Sequence, residues 1–82
     1  MILFSPHALD MLAERSIERV WVERTVREPD VIGTDPLRPD RIGAFRAIPE
    51  RGGRVLRVVY VQAGEDIRVI TTFFDRSRTP TP

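Results

Sequence analysis

Apolar residues recur at helical spacing through the first third of the chain and in alternation through its second half, with a proline-rich break between the two textures. Ala8, Leu9, Met11 and Leu12 share one side of a helical wheel, which predicts a helix over Pro6–Glu14 with those residues facing inward. Ser5 is a favoured N-cap, and Pro6 sits at the first helical position, where its fixed φ helps and its missing N–H costs nothing. A second helix is expected after Ser16, again as N-cap, because Ile17, Val20, Trp21 and Val26 recur near a 3.6-residue period. Its charges suit the helix dipole, with Glu18 in the first turn and Arg24 and Arg27 near the end, and Pro29 stops it. So little chain separates the two helices that they form a hairpin or a sharp corner.

Beyond Pro29 the pattern becomes extended. Val31–Gly33 reads as a short strand, and the segment Asp35–Asp40 as a turn-rich loop in which two prolines block pairing. Ile42–Ile48, Arg54–Gln62 and Ile67–Phe74 read as strands rich in β-branched and aromatic residues, joined by the hairpin-length segments Glu50–Gly53 and Ala63–Asp66. The tail from Arg76 to Pro82 is polar and proline-bearing and is expected to fray. These elements predict an α+β domain in which two N-terminal helices pack on one face of an antiparallel sheet of three to four strands. Alternation divides Arg54, Leu56, Val58 and Tyr60 from Val55, Arg57, Val59 and Val61 without saying which set is buried.

Length and composition narrow the chemistry. Eighty-two residues are expected to form a single domain, residues 1–82, with an open groove and no cofactor, since so small a core leaves no room for a deep cavity. The chain has no cysteine and one histidine, which excludes disulfides, thiolate chemistry and an all-histidine metal site within one chain, and no metal ligand set is predicted. The opening Met-Ile-Leu-Phe is interrupted by Ser-Pro too early for a signal peptide or a membrane span, so a soluble cytoplasmic protein without membrane partners is expected.

The formal net charge of +1 conceals a polarity. All thirteen basic residues are arginine; residues 1–40 balance to −3, whereas residues 41–82 balance to +4. Arginine offers planar, bidentate contacts to phosphate that lysine does not, so the basic half points to a polyanion such as nucleic acid. An ordinary surface of mixed charge is the plainer explanation. His7, placed in the first turn of the first helix, is the one side chain whose ordinary pKa lies near neutrality, and it is a candidate proton carrier.

The residues Phe4-Ser-Pro-His-Ala8, Glu14-Arg-Ser-Ile17, Pro29-Asp-Val31, Gly53-Arg-Val-Leu-Arg-Val-Val-Tyr60 and Val69-Ile-Thr-Thr72, in this order and spacing, give the chain its resemblance to a family of short prokaryotic proteins, domain of unknown function 4258. That family is similar to the RelE, ParE and BrnT toxins, so the resemblance implies a RelE-like fold, metal-independent endoribonuclease activity, RNA as substrate with the ribosome as one setting, and an antitoxin as protein partner. Two positions depart from the family pattern: Met11 stands where an arginine often follows the histidine by four residues, and Ser16 where glycine is usual.

Cleavage through the 2′-hydroxyl requires a base, an acid for the leaving oxygen, and cations around the crowded phosphate. On this reading His7 is the base or acid, and Arg15, Arg46 and Arg57 are catalytic candidates, with Arg46 and Arg57 on neighbouring strands able to face one phosphate if the register allows. Arg54, Arg68 and Arg76 would bind the RNA backbone, and Tyr60 or Phe74 would stack a base. Each has a simpler role open to it: a histidine hydrogen-bonded at a helix end, arginines paired across strands with Glu50, Glu65 or Asp66, and threonines at 71 and 72 that serve the strand. A non-catalytic binding module and a homodimer formed through an exposed sheet edge are the competing expectations.

Overall fold

The computed structural model describes residues 1–78. Its elements in chain order are β1 (Ile2–Phe4), α1 (Pro6–Arg15), α2 (Arg19–Arg27), β2 (Val31–Asp35), β3 (Arg38–Ile48), a short 3₁₀ turn (Pro49–Arg51), β4 (Arg54–Ala63) and β5 (Asp66–Phe74). The strands form one sheet in the order β1-β5-β4-β3-β2, in which β1 runs parallel to β5 and every other pair is antiparallel. The architecture is α+β, as expected, but with five strands in a mixed sheet.

The extra strand comes from the opening apolar residues. Ile2, Leu3 and Phe4 pair with Ile67, Arg68 and Val69, because this apolar run has an unpaired edge of β5 beside it and the chain enters α1 only at Pro6. Pairing also extends into the expected proline loop. β3 begins at Arg38, and Pro39 falls where the β2–β3 register shifts, so its missing N–H breaks no ladder bond.

Ser5 caps α1 as anticipated, its Oγ accepting from Ala8 N at 3.1 Å. Ser16, by contrast, is the C-cap of α1 rather than the N-cap of α2: it adopts a left-handed conformation (φ 53°) and its N–H donates to Leu12 O, so the tight corner takes it before the second helix begins. Glu18 occupies the N-cap of α2 without a side-chain bond. The inward faces also differ in detail. Leu9 and Val20 are exposed, while Val22 is fully buried, because both helices are rotated on the sheet relative to the simple wheel.

Both helices cover one sheet face. The core there joins Ala8, Ile17, Trp21, Val22 and Val26 to Ala44, Ile48, Leu56, Val58, Tyr60 and Val69. This settles the alternation of β4: Leu56, Val58 and Tyr60 point to the helices, and Val55, Arg57, Val59 and Val61 to the open face. On β5 the alternation changes phase. Val59 pairs with Thr71 but Tyr60 pairs with Val69, leaving Ile70 as the extra residue of a bulge. Val69 and Thr72 are consequently the buried pair, three residues apart, and Thr71 and Phe73 turn to the open face. No helix among the described residues is long and apolar enough to cross a membrane.

Candidate functional site

The bulge and the start of α1 are tied together by one side chain. Ser5 N–H donates to Val69 O at 3.0 Å, and Ser5 Oγ donates to Ile70 O at 2.9 Å while accepting from Ala8 N. β1 pairs only as far as Val69, so the first turn of α1 takes over the edge of β5 at Ile70 and Thr71. Two residues after Ser5, the exposed His7 meets the hydroxyl of Thr71, with Nε2 and Oγ1 3.1 Å apart and the direction of the bond following the imidazole tautomer.

Thr71 also lines an open cleft of about 420 Å³ on the sheet face that the helices leave uncovered. Arg57 occupies the middle of this face. It pairs with Phe45 on β3 and Phe73 on β5, and its guanidinium lies 5.3 Å and 5.6 Å from the two ring centroids. Arg57 stands diagonally across from Thr71, a position that separates such residues by about 7–8 Å, within the reach of an arginine side chain. One guanidinium nitrogen is 3.9 Å from Asp75, and the buried Nε has no partner among the described residues.

Arg41 and Arg78 line the same cleft, and Arg78 stacks on Phe45 at 3.8 Å from its centroid. A turn places Arg78 there: Ser77 N–H donates to Asp75 Oδ1 at 2.9 Å and Arg78 N–H to Asp75 O at 3.4 Å. Asp75 has its pKa lowered, mainly by Ser77 and further by the charges of Arg57 and Arg78, so a carboxylate remains beside the two cations. Residues 79–82, the rest of the expected frayed tail, lie outside the described residues.

The other candidate residues separate into three places. Arg46 pairs with Leu56 while Arg57 pairs with Phe45, so the register puts the two arginines on opposite faces and they do not share a phosphate. Arg46 instead reaches the end of α2, donating to the carbonyl oxygen of Glu28 and lying 3.8 Å from its carboxylate. Arg15, Arg54 and Arg76 gather in a second groove beside α1. Arg68 is exposed on β5 opposite Val61.

Tyr60 is only 6% exposed and belongs to the core, so its ring is not presented for base stacking. Phe74 meets Trp21 edge-on at 6.4 Å and lies beneath Arg51 and Arg54. The expected cross-strand pairing of arginines is replaced by a different ion pair. Arg24 on α2 holds Glu50 in a fork of two 2.9 Å hydrogen bonds, which lowers the Glu50 pKa to about 2.

Sequence reasoning did not assign Arg41, Arg78, Phe45 or Phe73 to the cleft, and it treated Thr71 chiefly as a strand residue. Their convergence depends on the β5 bulge and on the turn at Asp75, neither of which leaves a mark in hydrophobic alternation. Among the described residues, no group of three histidine, aspartate or glutamate side chains is placed to hold a metal ion.

A family model described as Domain of unknown function (DUF4258) matches residues 4–74. No curated protein and no solved structure matches the chain.

Proposed function

The chain belongs to the DUF4258 family, whose description assigns no activity, and from its resemblance to RelE-like toxins together with the site we propose that it is a toxin-like, metal-independent endoribonuclease that cleaves RNA through the 2′-hydroxyl. The observation that carries this reading is the pairing of an exposed imidazole with an open cleft in which three arginines outnumber the one acidic lining residue, Asp35: His7 contacts Thr71, and Thr71 shares the cleft with Arg41, Arg57 and Arg78.

On this proposal these residues divide the labour. His7 takes the proton from the 2′-hydroxyl or delivers one to the departing 5′-oxygen, and Thr71 fixes the ring so that the transfer is directed into the cleft. Arg57 faces the phosphate. Its seat between Phe45 and Phe73 limits the reorganisation needed when negative charge grows on the non-bridging oxygens, to which its terminal N–H groups donate. Arg41 and Arg78 add positive potential at the two sides.

The resemblance extends the proposal to an antitoxin as protein partner, and acidic residues on it would suit the arginines of the cleft. A cytoplasmic setting, where mRNA and ribosomes are accessible, belongs to the same proposal. The resemblance to RelE-like toxins supports this reading, with Arg57 rather than Arg15 or Arg46 as the arginine that shares a cleft with Thr71, the partner of His7.

The test is inducible expression of wild type and His7→Ala, with growth and bulk RNA integrity as readouts. The account expects wild type to arrest growth and degrade RNA and the folded His7→Ala protein to do neither. Equal behaviour of the two would remove the imidazole from the chemistry.

A further inference from the structure

A second groove, of about 610 Å³, lies between the α1 stripe Met11–Arg15 and the end of β5. Its lining includes four arginines, Arg15, Arg51, Arg54 and Arg76, and no acidic residue. None of the four has a carboxylate partner among the ion pairs of the described residues. Four like charges around one groove repel one another, and no counter-charge within the groove offsets that repulsion.

Two of the cations are held in place. Arg51 donates to Ser16 O at 3.0 Å and lies 5.9 Å from the Trp21 ring and 5.0 Å from that of Phe74, and Arg54 lies 5.1 Å from the Phe74 centroid. Guanidinium groups seated on aromatic rings keep their N–H edges directed outward, where they suit the oxygens of a phosphate. Arg15 and Arg76 are exposed and complete the rim.

Helix α1 relates the groove to His7. His7, Met11 and Arg15 follow one another at intervals of four residues, so they form one stripe along α1, and His7 and Arg15 are separated by about 12 Å along its axis. We propose that the Arg15–Arg51–Arg54–Arg76 groove binds the backbone phosphates of single-stranded RNA next to the stretch that reaches His7. The inference rests on the RNA reading given above and adds to it a binding site distinct from the cleft of Arg57. Single-stranded nucleic acid is favoured over an acidic peptide because a groove lined by four arginines suits the evenly repeated charges of a phosphate backbone, and Phe73 and Phe74 in the same lining offer aromatic surface to a base.

The experiment measures binding by fluorescence anisotropy with a labelled, 2′-O-methylated RNA oligonucleotide, which cannot be cleaved, over a series of salt concentrations. Wild type, Arg15→Gln/Arg54→Gln and the remote control Arg38→Gln are compared, with circular dichroism confirming the folds. The double variant should bind at least about tenfold more weakly, and its plot of log affinity against log salt should flatten by about 1.4, the value for two lost single-strand phosphate contacts. Arg38→Gln should match wild type.

Unchanged affinity or slope in the double variant would overturn the proposal, as would a poly-glutamate peptide that binds the groove in place of RNA. Cleavage of unmodified RNA separates the two claims. A protein that binds through Arg15 and Arg54 but never cleaves retains the groove and loses the ribonuclease; one that cleaves while the double variant binds normally loses the groove alone.

Discussion

Replacing Ser5 with alanine removes a hydroxyl that serves two elements at once. Its Oγ accepts from Ala8 N, capping α1, and donates to Ile70 O, the carbonyl of the β5 bulge. Loss of a serine cap costs about 1 kcal/mol, and loss of a hydrogen bond to a part-buried carbonyl costs about another 1 kcal/mol, for a total of about 2 kcal/mol. In a domain of this size that lowers Tm by about 8–16 °C. Ser5→Asp divides the effect: it retains the acceptor for Ala8 N but has no proton for Ile70 O, so it should lose about half as much. Thermal unfolding followed by circular dichroism gives the stabilities, and NMR gives the local consequence. His7 is the only histidine, so its imidazole resonances report directly on whether the ring still meets Thr71, and they should move toward the free-histidine position in Ser5→Ala. A Tm within about 2 °C of wild type, with His7 signals unmoved, would refute the claim that this hydroxyl holds the imidazole in place.

Further consequences follow from individual contacts. Ser16 has φ 53°, a conformation costly for a residue with a Cβ, so Ser16→Gly should raise stability by about 0.5–1 kcal/mol in urea unfolding; a neutral or destabilising result would contradict the cap assignment. Because Arg24 depresses the Glu50 pKa from 4.5 to about 2, the pair stabilises the fold fully above the unfolded value and loses its contribution as pH falls toward 2. The stability gap between wild type and Glu50→Gln should therefore shrink over that acidic window, and a gap that stays constant would oppose the pairing. Arg57→Gln should reduce cleavage about a hundredfold, the scale of losing one donor to a developing oxyanion, whereas Arg46→Gln should change stability and leave kcat/KM within about threefold; equal kinetic losses would contradict the assignment of the two arginines to opposite faces.

The helices and the three long strands were legible because their apolar positions keep a regular period. What escaped was set by tertiary partners. Ile2–Phe4 is too short to announce itself as a strand until the edge of β5 is there to pair with it. Ser16 satisfies the preferences of an N-cap, yet the geometry of the corner makes it a left-handed C-cap. Tyr60 and Arg57 lie on opposite sides of one strand, and only the covering helices decide that the tyrosine is interior and the arginine faces outward.

The site was legible to the same degree. His7, its helical position and the wealth of arginine can be read directly from the residues, whereas the choice of Arg57 over Arg46 needed the strand register. Thr71 needed the bulge at Ile70 to reach the open face, since strict alternation along β5 from Val69 would have pointed it at the helices.

The most direct measurement incubates purified wild type and His7→Ala with RNA, in the presence and absence of ribosomes and with a chelator throughout, and determines the ends of any fragments. The account predicts fragments carrying 2′,3′-cyclic phosphate from wild type and none from the folded His7→Ala protein. RNA left intact by wild type in both settings, or the same fragments from both proteins, would contradict it.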